Sequence, residues 1–274
     1  MMNTISELSC RVRGHTIAYK ESGEGEVVLL IHGITTYSFI WRNIIPLLSK
    51  QFRVLALDLP GCGASCKNIT EPYSIANHAR TIHQFLEVLN IHQAHIVGHD
   101  VGGGITQLFA VDHPQMCKTI SLVNSVAYDF WPVQPIIAMR TPIVRQLAMA
   151  SLDMGALRLI VQRGLYHRDK LNQELLDYFW APMKTREGRK AFLHFAASLD
   201  NKHLVEISAQ LTRLSMPALI VRGDADLYLS GVIAEKLAEN IPTSRLVRIA
   251  TASHFIQEDE PERLAAELLN FFAP

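Results

Sequence analysis

The chain has 274 residues, 49% of them apolar, and Lys plus Arg equals Asp plus Glu at 26 each, so the formal charge is zero. That is enough for one large core, or for a core with an inserted subdomain. The charge balance excludes a basic nucleic-acid stripe and an acidic disordered tail, and it favours a small, mostly neutral organic partner.

The opening "MMNTISELSC" has no basic stretch followed by an apolar core, so no secretory signal is expected. The apolar runs fall short of the roughly 18 residues that a membrane span needs. A cytoplasmic protein with no membrane partner is the expectation. Two short strands are predicted around "RVRGHTIAY", with the turn residues "ESGEGE" after them. The run "VVLLIHG" then reads as a strand buried on both faces, and "FRVLALDLPG", "AHIVGHD" and "TISLVNS" repeat the pattern. Helices are predicted between them at "FIWRNIIPLLSK", "SIANHARTIHQFLEVLN" and "GITQLFAVDH". This alternation predicts an α/β fold with a mostly parallel sheet.

The alternation stops after residue 127. From "YDFWPVQP" to about residue 205 the patterns are helical with no clear strand. "PALIVRGDAD" and "SRLVRIATASH" then restore strands, and "PERLAAELLNFF" reads as a last helix. The expected organisation is a core of residues 1–127 and 206–274, with residues 128–205 as a helical cap. Such an insertion roofs the C-terminal ends of the strands, where open sheets bind ligands.

The stretch "IVGHDVGGG" places Asp100 between a buried strand and a Gly-rich helix start. Its form, G-x-D-x-G, is the nucleophile-elbow frame with Asp in place of Ser. The same residues also read as a plain strand-to-helix turn with Asp as the N-cap. Two further strand ends bear on the choice. "VRGDADLYL" supplies Asp224 and Asp226, and "ATASHFIQEDEP" supplies His254. The chain order nucleophile, acid, histidine is the one an elbow of this kind requires.

In these segments the chain resembles an α/β-hydrolase of the haloalkane dehalogenase and epoxide hydrolase branch. "HGITTYSFIWRNIIPLL" is similar to the oxyanion loop of the dehalogenases, "LDLPGCGAS" to the next strand and turn, "GHDVGG" to their Asp elbow and "SHFIQEDEP" to their histidine loop. The resemblance implies an α/β-hydrolase fold with helices on both faces of the sheet and an inserted cap. It makes Asp226 rather than Asp224 the acid. Three positions depart from it. Where the dehalogenases carry a halide-binding Trp and Asn, this chain has Val101 and Ile34, and Thr35 replaces the Pro of the epoxide hydrolase HG-x-P loop.

An ionised Asp needs no base to attack a saturated carbon, and it leaves an alkyl ester on Asp100. His254, oriented by Asp226, then activates water against that ester. The backbone N–H groups of Ile34 and Val101 are expected to hold the oxyanion. A leaving group needs donors from the insertion, where Tyr128, Trp131, Tyr166, His167, Tyr178 and Trp180 are candidates. Each of these is also a candidate for simple packing. His32 and His99 read as structural hydrogen-bonding residues. No metal, flavin or nucleotide is required, and the C-x3-C pair Cys62 and Cys66 lacks further metal ligands nearby. A dehalogenase-like hydrolase is the first expectation. An epoxide hydrolase, an ester or lactone hydrolase with Asp100 as base, and a non-catalytic small-molecule receptor are the alternatives.

Overall fold

A computed structural model describes residues 4–130 and 155–273. Eight strands form one sheet: β1 (Ser6–Val12), β2 (His15–Ser22), β3 (Val27–Ile31), β4 (Arg53–Leu57), β5 (Ala94–Asp100), β6 (Cys117–Ser125), β7 (Ala218–Gly223) and β8 (Ser244–Ile249). Their order is β1-β2-β4-β3-β5-β6-β7-β8. β1 and β2 form an antiparallel hairpin and β2 joins β4 antiparallel, while every pair from β4 to β8 is parallel.

Helices α1 (Ile45–Leu48), α2 (Ile75–Val88) and α3 (Val101–Asp112) connect the early strands. Helices α4 (Leu157–Arg163), α5 (Gln173–Trp180), α6 (Arg186–Ser198) and α7 (Lys202–Ile207) lie between β6 and β7. Helix α8 (Gly231–Asn240) follows β7, and α9 (Ile256–Asp259) and α10 (Pro261–Phe272) follow β8. The strands read as continuous apolar runs because both faces of the sheet are covered. Leu29, Ile31, Ile96 and Ile120 pack with α2, α3 and α8 on one face. Val28, Leu30, Val54, Val97 and Val221 pack with α1 and α10 on the other.

One predicted helix is broken. "FIWRNIIPLLSK" gives a single 3-10 turn, Ser38–Trp41, and then the short α1. Pro46 accounts for the break: inside a helix it removes an N–H and clashes one turn back, so it sits in the first turn of a new helix. Helix α8, for which the sequence reading assigned no element, starts where Ser230 Oγ accepts the N–H of Val232. The predicted strands and the helix at 261–272 match the observed ones. Among the described residues between β6 and β7 there is no strand, and α7 spans the 205/206 boundary drawn from sequence. No helix among the described residues is long and apolar enough to cross a membrane.

The topology fixes where a site belongs. From β3 the chain moves to β4 on one side and then to β5 on the other, so the connections diverge between β3 and β5. Open parallel sheets bind ligands at such a switch point, outside the C-terminal strand ends. Ile34 follows β3 there, and Asp100 ends β5.

Candidate active site

Asp100 has φ 53° and ψ −118°, a backbone conformation that side-chain-bearing residues rarely adopt. Holding it costs on the order of 1–3 kcal/mol. Its side chain makes no capping bond to α3, so the N-cap reading does not describe it. Two close approaches explain the glycines around it. A Cβ on Gly98 would lie 2.2 Å from Gly102 O, and one on Gly102 would lie 2.4 Å from Ile31 O. The carboxylate is instead turned into the site. Ile34 N–H donates to Asp100 Oδ2 at 3.1 Å, and the N–H of Val101, at the start of α3, also favours the ionised carboxylate. Burial raises the Asp100 pKa above its ordinary value, against the opposing pull of His254 and these two N–H groups.

His254 is buried and donates Nδ1–H to Asp226 Oδ2 at 3.0 Å, which leaves Nε2 to take a proton. Asp226 Oδ1 accepts the N–H groups of Tyr228 at 2.7 Å and Leu229 at 3.1 Å. Burial favours the neutral form of each partner, but their mutual attraction wins. The Asp226 pKa is lowered, and that of His254 is raised by Asp226 and then by Asp100. Asp224 takes no part in this group: its Oδ1 accepts from Arg248 Nε at 2.8 Å near the surface.

His32 and His99 hold the frame. Leu59 N–H donates to His32 Nε2 at 3.0 Å, so His32 Nδ1–H donates to Gly33 O at 2.7 Å. His99 Nε2–H donates to His254 O at 2.9 Å, and burial pushes its pKa down to about 3.

The candidate pocket residues are spread out. Tyr128 is buried, but its hydroxyl donates to Lys236 O at 3.1 Å and accepts from Asn240 Nδ2 at 2.9 Å, which ties it to α8. Tyr166 is 47% exposed, and its N–H and that of His167 donate to the Asp259 carboxylate. Tyr178 stacks on Phe39 with centroids 5.4 Å apart, under the Arg42 guanidinium. Trp180 is half-buried against the core. Trp131 lies outside the described residues.

Several residues of this region were not singled out from sequence. Asn124 Nδ2 donates to Ser253 O at 2.8 Å and His254 O at 3.0 Å, while Asn124 Oδ1 accepts Gly223 N–H at 3.0 Å. It thereby ties β6, β7 and the histidine loop together. Asn124→Ala strands these buried partners and is expected to cost about 1–3 kcal/mol in urea unfolding. The Tyr228 ring packs edge-on to His254 at 5.2 Å, and its hydroxyl donates to Ile160 O at 2.7 Å. Arg222 donates Nη1–H to Asp226 Oδ2 at 3.2 Å from inside β7. Among the described residues no group of His, Cys, Asp and Glu is placed to hold a metal.

A family model described as alpha/beta hydrolase fold matches residues 26–261. The chain belongs to the α/β-hydrolase fold family. Haloalkane dehalogenase 2 of Mycobacterium tuberculosis is 29% identical to this α/β-hydrolase, over 93% of this chain and 91% of that one. The crystal structure of haloalkane dehalogenase DbeA from Bradyrhizobium elkani superposes with a TM-score of 0.86 at 26% identity, covering 97% of each chain. Epoxide hydrolase CorEH shares the fold, with a TM-score of 0.87 at 21% identity and 99% of each chain covered. This α/β-hydrolase is therefore an enzyme, a hydrolase of this superfamily.

Proposed function

We propose that the enzyme cleaves a small apolar organic substrate through an ester on Asp100, in the manner of a haloalkane dehalogenase. The observation that carries this reading is the seat of the carboxylate. Oδ2 accepts the N–H of Ile34 at 3.1 Å, in this reading with the N–H of Val101 beside it, which leaves Oδ1 to attack. Attack at a saturated carbon forms a C–O bond, and the leaving group departs with the electron pair of the broken bond. Oδ2 becomes the ester carbonyl oxygen without moving from its donors. His254 then takes a proton from water as the water oxygen adds to Cγ, and the negative charge develops on Oδ2, where the donors already stand. Collapse breaks the Cγ–Oδ1 bond, the departing oxygen takes the proton held by His254, and the alcohol leaves as the Asp100 carboxyl ionises again. An Asp acting only as a base toward water would gain nothing from that cradle.

The roof of the site in this reading is the helical cap, residues 128–205, on the core of residues 1–127 and 206–274. In support, α4, α5 and α7 meet the strand-end loops and α3: Tyr178 on Phe39, Ile160 O on Tyr228, Gly164 O accepting Phe255 N–H, and Leu204 beside Gly104.

The test is His254→Gln, which leaves attack possible and removes the base. With bromobutane, the expected result is one bromide per enzyme and a butyl adduct on the Asp100 peptide by mass spectrometry. An adduct from styrene oxide carrying the whole epoxide, with no bromide release, assigns epoxide opening instead. Turnover by the wild type with no adduct in the variant would establish Asp100 as a base. Tight binding without product, unchanged in His254→Ala, would make the protein a receptor.

A further inference from the structure

The geometry points to Arg222 as a positioning residue that cancels the charge of Asp226, so that His254 is an uncharged, proton-accepting base while Asp100 is esterified. Arg222 is 5% exposed and stands in β7 after Leu219, Ile220 and Val221, all buried. A guanidinium in such a place requires a partner. Nη1–H donates to Asp226 Oδ2 at 3.2 Å, the oxygen that also accepts His254 Nδ1–H, and Nη2–H donates to Asp226 O at 3.1 Å. Asp226 does not need Arg222 to satisfy its hydrogen bonds, since His254, Tyr228 and Leu229 already supply donors. What Arg222 adds is a positive charge.

The other charged and titratable groups around His254 come from each neighbouring element. Asp100 faces it from the elbow, and neutral His99 from β5. Tyr228 lies on the loop after β7, with Arg163 of α4 over its ring at 5.8 Å. On the histidine loop itself, Glu258 is held by Arg42 at 2.9 Å, and Asp259 accepts the N–H groups of Ser253, Tyr166 and His167. In the resting enzyme His254 therefore faces two carboxylates and one guanidinium, a net single negative charge that favours imidazolium. Ester formation neutralises Asp100 and carries the negative charge off on the leaving group. Asp226 and Arg222 then cancel, and His254 can stay neutral and accept a proton from water. Without Arg222 it would face an uncompensated carboxylate through the hydrolytic step and hold its proton.

The kinetic part of this inference rests on the ester reading, whereas its titration part rests on geometry alone. The experiment follows the imidazole nitrogens by NMR in histidine-labelled enzyme, with His254 assigned by comparison with His254→Gln. Arg222→Gln is expected to raise the His254 midpoint by about one pH unit. Arg222→Lys, which keeps the charge, is expected to hold the midpoint close to the wild-type value. Arg222→Met is a second neutral variant should the Gln variant fail to fold. Adduct decay in the neutral variants is expected to move its acid limb upward by the same amount. A midpoint in Arg222→Gln or Arg222→Met equal to the wild-type value, or an Arg222→Lys shift as large as theirs, would overturn the proposal. If no Asp100 adduct forms in any variant, the ester reading fails, while the midpoints still decide the role of Arg222.

Discussion

Replacing Asp100 with Gly is expected to abolish turnover, by at least about 10⁴-fold, and at the same time to raise the melting temperature. The activity arm follows from the loss of the proposed nucleophile, the side chain that accepts the Ile34 N–H. The stability arm follows from two costs that the native residue carries. Its backbone sits at φ 53°, ψ −118°, which Gly adopts freely, and relief of that strain gives about 1–3 kcal/mol. The extra freedom of Gly in the unfolded chain takes back roughly 0.5–1 kcal/mol. The second cost is the buried charge. Since burial raises the folded pKa of Asp100 above its ordinary 3.8, its ionised form opposes folding at any pH above that folded pKa, and the cost fades as pH falls. Calorimetry at neutral and acid pH separates the two. The advantage of Asp100→Gly should widen toward neutral pH, and the strain part should persist in acid. A net gain of about 1–2 kcal/mol corresponds to a rise of roughly 2–8 °C. A variant less stable than wild type at every pH would show that the elbow is not strained.

How much of this was legible in the sequence follows from what each residue depends on. The strands were legible because burial on both faces turns them into unbroken apolar runs, and "IVGHDVGGG" displayed the elbow because its glycines, imposed by close approaches within the turn and to the neighbouring strands, fall together in one short stretch. The broken helix at 38–48 was readable in principle, since Pro46 is its cause, but the apolar pattern running across it concealed the break. Asn124 and Arg222 left a trace too, as polar residues inside the apolar runs "TISLVNS" and "ALIVRG". Their partners left none. Asn124 bonds to residues 129 and 130 positions away, and Tyr228 reaches Ile160 across a distance that no periodicity records. The pocket candidates were chosen by residue type alone, and type does not reveal where a hydroxyl is already engaged. Tyr128 illustrates this, with its hydroxyl set between Lys236 O and Asn240.

The choice between Asp224 and Asp226 yields the other large effect. Asp226→Asn is expected to lower turnover by about 10³–10⁴-fold, while Asp224→Asn, whose carboxylate only meets Arg248 near the surface, should stay within about twofold. The reason is that every partner of the Asp226 carboxylate is a donor: Tyr228 and Leu229 N–H on Oδ1, His254 Nδ1–H and Arg222 Nη1–H on Oδ2. An amide must aim its NH2 at one of these pairs. Against the histidine it forces the proton from Nδ1 to Nε2, and the base is lost. Arg222 also loses its counter-charge, which adds a stability cost of about 3–5 kcal/mol. Loss of activity through unfolding and loss through the wrong tautomer are told apart by the adduct. A folded Asp226→Asn enzyme should still alkylate Asp100 and then stall, as His254→Gln does. The pH dependence carries its own sign. The Asp226 pKa is lowered in the fold, so its contribution is present above 3.8 and lost as pH falls through the folded value. The His254 pKa is raised, so its contribution is complete below 6.5 and lost as pH rises through its folded value. The wild-type advantage over Asp226→Asn in urea unfolding should therefore be greatest between those two ordinary values and shrink on both sides. An advantage that grows steadily into alkali would mean that the pair is not ionised in the folded enzyme.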